Sequence, residues 1–369
     1  VKDPLPAKVD IVDFGEAVKS KILYSLYRNF WIRIALRYPP IISAFFGTAD
    51  NPILTRSIDA FFGVVLIPRL KRYLEREKPD IVMSTYFTPH HYLERLAHWK
   101  KKRFLSIGIN PEPFQSHSIW VAGKLDYSIV FSKKARDEMI EKGADPKKVL
   151  IFNYPIRPEF SEKSCFKEEA RRKLGLSDNM LTCLLNFGAE GVGPVKKYMK
   201  DIVDRNLPLQ VLIICGRNTK LKGELERWAD KFSGKTRFVI RGFVDNMEDY
   251  ICASDFVIGK AGPNSIMESI VVGRPPLIVS FMENERSTKE WVVKHQYGWV
   301  KRTVGGFTRF IERSIDDRSE IERYTENLRK LGYRSGSEDI VKFLLSLCRN
   351  INIQRNIQRN KRKRVRRHE

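Results

Sequence analysis

The sequence predicts an α/β protein made of two domains, each built around a parallel sheet. Three observations carry this reading. The chain has 369 residues, enough to bury two hydrophobic cores. Short apolar runs alternate with helical stretches along most of its length, the pattern of strands joined by crossover helices. The stretch from Asp255 to Val279 spells one such crossover in full: strand, glycine turn, short helix, strand.

Taken in order, Lys8 to Asp13 is predicted as a strand. A long apolar and basic segment starts near Val18. Leu23, Tyr24, Leu26, Tyr27, Phe30, Trp31, Ile34 and Ala35 recur there at helical spacing, with Lys19, Lys21, Arg28, Arg33 and Arg37 between them. Such a helix lies in a membrane interface or packs its apolar face into the core, and spacing leaves both open. Pro39-Pro40 ends it. Ile81 to Ser84, Phe104 to Ile107 and Tyr127 to Phe131 read as strands with helices between, and Lys133 to Gly143 as a helix closed by glycine. Pro155, Pro158 and the charged stretch from Glu159 to Lys173 suggest a linker. Strands are then expected at Met180–Phe187, Gln210–Cys215, Thr236–Ile240, Asp255–Ile258 and Leu277–Val279. Asn352-Ile-Gln-Arg355 repeats as Asn356-Ile-Gln-Arg359 before a run of lysines and arginines, so a disordered basic tail is expected. The domain expectation is 1–160, a linker over 161–175, a second domain over 176–334, a closing helix over 335–349 and the tail over 350–369.

The turn at Gly262 carries the sharpest local chemistry. Pro263 suits the first helical position, where its missing N–H costs nothing, and Gly273 stops the helix. The open N–H groups and the helix dipole suit a phosphate. Glu268 lies a turn and a half inside, positioned either to accept from ribose hydroxyls or to sit as a surface carboxylate on an ordinary crossover. Spacing does not choose between them.

The wording of the segment resembles the nucleotide-sugar site of the family of monogalactosyldiacylglycerol synthases and processive diacylglycerol glucosyltransferases, relatives of the peptidoglycan N-acetylglucosaminyltransferase. The residues are Gly259-Lys260-Ala261-Gly262-Pro263 followed by Glu268. Cys215-Gly216-Arg217-Asn218, Gly188-Ala189-Glu190-Gly191-Val192 and Arg241-Gly242-Phe243-Val244 resemble further phrases of that family. So do Lys78-Pro79-Asp80-Ile81-Val82 and Tyr154-Pro155-Ile156-Arg157-Pro158-Glu159-Phe160. The six matches fall in the family's order across residues 78–280.

The resemblance implies a GT-B fold: two Rossmann-like domains facing a cleft, the donor nucleotide on the second, and a C-terminal helix returning to the first. It implies that the backbone at Phe243 and Val244 meets uracil and that Gly262, Pro263, Asn264 and Ser265 hold the diphosphate. Glu268 would bind ribose, with Gly188, Gly216, Arg217, Asn218 and Lys260 around the donor. Asn284 and Glu285 align with a Gly-Gln-Glu motif that contacts sugar hydroxyls, and the departure at that motif leaves the sugar open. On the acceptor side His117 and Trp120 match a His-x-x-Trp phrase. Glu112 stands near where the family has an acidic residue, so His117 and Glu112 are the catalytic candidates. His117 reads equally as a structural loop histidine, and His90 and His91 read as structural. No Asp-x-Asp clamp is present, so no metal and no cofactor are expected beyond the UDP-sugar donor. Family members open with a strand and a Gly-x-Gly-His loop; Lys8 to Asp13 corresponds to their second strand. A fragment or misassigned start is therefore expected, with UDP binding retained and transfer slow.

The formal net charge is +23, of which residues 355–369 supply +7 from eight Lys/Arg and one Glu, leaving +16 on the rest. Such a chain seeks polyanions, and the resemblance favours an anionic membrane surface over nucleic acid. No apolar run is long enough to span a bilayer. Cys165, Cys183, Cys215, Cys252 and Cys348 are scattered without a Cys-x-x-Cys pair, so neither disulfide nor zinc is expected. That points to a reducing compartment, and with the charge to a peripheral position on the inner, cytoplasmic face of the cell membrane. The expected activity is metal-independent transfer of a hexose to a lipid hydroxyl, diacylglycerol first. The alternatives are a polyprenyl-diphosphate-linked acceptor, a UDP-sugar epimerase, and an inactive basic relic that binds membrane or nucleic acid.

Overall fold

The computed structural model describes residues 7–19, 50, 52–96, 98–99, 102–161, 165–186 and 195–365. The chain divides into two compact units, residues 1–153 with 336–369, and residues 154–335. The aromatic and arginine-rich segment after Lys19 and the Gly188 loop lie outside the described residues.

The first unit holds a four-stranded parallel sheet in the order β1-β2-β3-β4, from Ile81–Ser84, Leu105–Ile109, Tyr127–Val130 and Val149–Ile151. Ser132 caps the helix Lys133–Glu141 by accepting from the Ala135 N–H, and Gly143 leaves it at φ +99°. Ile107 and Ile129 in the strands and Tyr92 and Leu93 on the helix Phe87–Arg95 are wholly buried. The C-terminal helix Ser337–Val365 returns here, setting Phe343 against Tyr127 and Phe152 with ring centroids 5.2 and 5.7 Å apart.

The second unit holds a six-stranded parallel sheet in the order β10-β9-β8-β5-β6-β7. Its strands are β5 Leu181–Asn186, β6 Leu209–Ile214, β7 Arg237–Arg241, β8 Phe256–Lys260, β9 Pro276–Ser280 and β10 Trp299–Val300. All six residues of both β5 and β6 are buried, as a central parallel strand covered on two faces requires. Cys183, Val211, Phe256, Leu277, Phe307 and Phe310 form the heart of this core.

Four expectations need correction. Lys8 to Asp13 forms no strand: Val9 and Ile11 are 70 and 98% exposed, and Asp13 instead caps the helix Phe14–Ala17. Residues 167–174, expected within a linker, form a helix whose Arg171 is buried and donates to Ala253 O and Asp255. The backbone of the tail is helical as far as Val365, because nothing from Ser337 onward breaks a helix. Finally, Cys165 and Cys252 are joined in a disulfide across 87 residues, Cα atoms 5.7 Å apart. The helix Met247–Ala253 packs on Lys167–Leu174 and brings the two together, which no local spacing announces. The premise for a reducing compartment falls with it.

Candidate functional site

In the second unit the chain winds outward from β5 through β6 to β7, then crosses to β8 and winds the other way. Parallel sheets bind ligands beyond the carboxyl ends of their strands at such a reversal. Here it lies between β5 and β8. Gly259 faces Asn186 across it, and a Cβ on Gly259 would come within 2.4 Å of the Asn186 carbonyl oxygen.

β8 ends at Lys260, and the turn Ala261-Gly262 leads into the helix Pro263–Val271 with Pro263 in its first turn. Its N-cap residue is Gly262, which has no side chain to offer, so among the described residues the cap leaves the first N–H groups open to a ligand. The Ile266 N–H already bonds back to Gly262 O, which fixes the turn. Glu268 is half-buried; desolvation pushes its carboxyl up to about 7, against the opposing pull of Arg157. Tyr154 donates from its hydroxyl to Asn264 Oδ1 at 2.5 Å, tying the segment entering this unit to the helix start.

Two further sequence candidates meet beside the turn. Lys260 Nζ donates to Glu285 Oε1 at 3.0 Å, while Glu285 Oε2 accepts from the Met282 N–H. Glu285 is 2% exposed, so both carboxylate oxygens serve the turn, and one holds the Lys260 ammonium in place. Asn284 lies in the same short turn, Glu283–Glu285. The loops after β6 and β7 also come together. The Cys215 N–H bonds Arg241 O, Gly216 turns the chain at φ +57°, and Arg217 sits over the Phe243 ring at 5.5 Å. Phe243 is 57% exposed, with Val244 beside it half-buried. The Asn218 side chain is spent on capping the helix Thr219–Ala229 through the Leu221 N–H. Gly188 lies outside the described residues.

In the first unit the loop after β2 carries Glu112, His117 and Trp120. Asn110 organises it, accepting from the Glu112 N–H and donating to Gln115 O and Ser116 Oγ. Glu112 is buried, and desolvation pushes its carboxyl up to about 7; the Gln115 amide, 3.1 Å away, and the Trp120 indole favour the carboxylate less strongly. The Trp120 indole is buried beside Glu112, and its ring meets Phe87 edge-on at 5.6 Å. His117 caps the Ser118–Trp120 turn through Nδ1 and stands 4.0 Å from Asp50. Burial would raise Asp50, yet the Lys142 ammonium and the Ser118 N–H and hydroxyl outweigh it and hold it low. His90 and His91 are buried and bonded to the Ser84 and Ile119 carbonyls, in keeping with a structural role.

The arrangement gives two chemistries. The second unit offers an open helix N-terminus, a fixed ammonium and a near-neutral carboxyl, suited to an anionic ligand with hydroxyls. The first offers a buried carboxyl poised to exchange a proton near neutral pH. Three participants escaped the candidate sets: Arg157, Tyr154 and Asp50. The Tyr154–Phe160 phrase pointed to the first two; Asp50 is a lone aspartate 68 and 92 residues from its partners, with no local signal.

Comparison with known proteins follows the same division. Residues 6–156 match the family model of monogalactosyldiacylglycerol (MGDG) synthase, and residues 193–300 match that of the glycosyltransferase family 28 C-terminal domain. The chain is 28% identical over 276 residues to monogalactosyldiacylglycerol synthase 2, chloroplastic, of Arabidopsis thaliana, covering 72% of this chain and 58% of that protein. A probable monogalactosyldiacylglycerol synthase 3, chloroplastic, of Oryza sativa subsp. japonica is 27% identical, over 79% of this chain and 58% of its own. The chain thus spans less than two thirds of the length of these curated relatives. Among solved structures it resembles MurG of Acinetobacter baumannii at TM-score 0.59 and 11% identity, covering 77% of this chain and 78% of that one. Anabaena HepE in complex with UDP follows at TM-score 0.52 and 14% identity, with coverage of 76% and 82%. The S. aureus MnaA–UDP structure gives 0.55 and 16%, with 78% and 82%. The fold class is GT-B, α/β with two parallel sheets.

Proposed function

We propose that this chain, which resembles the MGDG synthases in its first unit and the family 28 glycosyltransferases in its second, moves a hexose from a UDP-sugar to a lipid hydroxyl, that of diacylglycerol. One observation carries the donor half of this reading. The strand-order reversal sets an uncapped helix N-terminus, with Lys260 and Glu268 beside it, beyond the carboxyl ends of β5 and β8. Uracil lies along the backbone of Phe243 and Val244, the diphosphate on the turn from Gly262 to Ser265, and ribose against Glu268. As the glycosidic bond breaks, negative charge grows on the departing UDP. The helix dipole and the Lys260 ammonium stabilise it without a metal.

On the acceptor side Glu112 takes the hydroxyl proton as the oxygen attacks the anomeric carbon. Its carboxyl, raised to about 7 by burial, is a stronger base than an ordinary glutamate. His117 is the second candidate, and Trp120 lines the acceptor's place. Among the described residues no helix is long and apolar enough to cross a membrane. The basic surface brings the protein to an anionic membrane as a peripheral partner. The cytoplasmic face rested on unpaired cysteines, and the Cys165–Cys252 bond removes that support.

Incubation with labelled UDP-glucose or UDP-galactose and diacylglycerol vesicles, followed by lipid extraction, tests the reading. Label in a monoglycosyl lipid, unaffected by chelator, is the expected result. Free epimerised UDP-sugar would favour an epimerase, and label on an added polyprenyl-diphosphate acceptor the other transferase. Absence of all three products with UDP binding intact would leave the inactive relic.

A further inference from the structure

The first unit contains a cavity of about 590 Å³ that the proposed reaction does not use. It lies between the last turns of the helix Phe87–Arg95, the loop before β3 and the turn at Gly143 before β4. Strands leave these loops rather than enter them, so the cavity is at the amino end of the sheet. Glu112 and His117 lie on the loop beyond the carboxyl end of β2.

The chemistry of its lining is cationic and hydrogen-bond donating. Arg95 is exposed on its wall and makes no hydrogen bond or ion pair among the described residues. Lys124 Nζ lies 3.4 Å from His98 Nε2 and makes no ion pair with a carboxylate among the described residues. The one carboxylate of the lining, Glu94, is turned to the buried His91, 3.9 Å from its Nδ1. Among the described residues, two cations thus share a concavity with no carboxylate paired to either. Gly143, at φ +99° with open space where a Cβ would stand, leaves the mouth clear. A guanidinium fork beside an ammonium is the donor set that oxyanions of phosphorus select.

We propose that this cavity binds a phosphomonoester-type oxyanion, held by Arg95 and Lys124 with His98 as a further donor. A free phosphate compound and a lipid headgroup present the same group, and the test separates them. Calorimetry of the full chain with inorganic phosphate, at ionic strength held constant with chloride, is expected to give saturable one-to-one binding. Arg95→Gln and Lys124→Gln, both at exposed positions, should each weaken it at least tenfold while leaving the thermal midpoint unchanged. Inorganic phosphate also binds diphosphate sites, so the titration is repeated with UDP saturating.

In a second arm, phosphatidylcholine vesicles with and without phosphatidate are sedimented with the parent and with Arg95→Gln. Retention by phosphatidate that free phosphate competes away, and that the variant loses, assigns the headgroup as the source. Phosphate binding without such retention assigns a free anion. Unsaturable phosphate binding, or equal affinity in parent and both variants, would overturn the proposal.

Discussion

Burial has moved the carboxyls of Glu268 and Glu112, the residues on which the proposed chemistry turns, from the ordinary 4.5 up to about 7. A carboxyl raised in the folded state contributes fully below its unfolded pKa, and that contribution is lost as pH rises through the folded value. For Glu268 the window runs from about pH 4.5 to 7, and the loss is at most about 3 kcal/mol, less where water reaches the group. Glu268→Gln should therefore melt with the parent at pH 4 and above it at pH 8. The proposed ribose contact pulls the other way: Glu268→Ala should weaken UDP binding by about 1.5–3 kcal/mol. Unchanged UDP affinity by calorimetry in a folded variant would remove Glu268 from the site. For Glu112 the expectation is kinetic. The acid limb of the kcat/KM profile should fall near pH 7, and Glu112→Gln should lower the rate about 10²–10⁴-fold and flatten that limb. A variant that keeps the limb would shift the base role to His117 or another group.

At the level of elements, the segment from β8 through the helix Pro263–Val271 to β9 was legible almost to the residue. Glycine, proline and β-branched residues each act locally there, and the signal is complete within about 25 positions. What stayed hidden depends on distance. β10 is two residues long, too short for any periodicity. Glu285 could be aligned as a sugar contact, yet its pairing with Lys260 needs the register of two strands. The disulfide joins residues 87 apart through packing of one helix on another. It lies against a buried charge cluster: Asp255 accepts from Arg171, Lys167 and the Thr182 N–H, while Arg274 donates to Cys165 Sγ and Cys252 O. Closing a loop of that length restrains the unfolded chain, so reduction should cost about 2–4 kcal/mol. Denaturant unfolding with and without a dithiol reductant checks this. Coincident midpoints, with thiol titration proving reduction, would mean the bond adds no stability.

The whole molecule is defined electrostatically by its net charge of +23, and the distribution of that charge decides how the proposed attraction to an anionic membrane can be tested. The tail from 355 onward was legible as basic but not as helical, because charge runs were weighed there above the absence of any glycine or proline from Ser337 to Val365. Removing residues 352–369 takes away +7 and leaves +16. A charge near an anionic surface contributes about 1 kcal/mol, so the tail is a large but not exclusive share of the attraction. The full chain should therefore sediment with anionic vesicles and not with neutral ones. Salt should release it, since the Debye length shrinks from about 10 Å at 0.1 M to about 3 Å at 1 M. The shortened chain should still bind at low salt and detach earlier along the salt series. Equal sedimentation with neutral and anionic vesicles would mean that apolar insertion, not charge, holds the protein. Loss of all binding on shortening would place the membrane contact in the tail alone. Tighter retention by nucleic acid than by vesicles at the same salt would turn the charge argument toward the relic reading and away from lipid glycosylation.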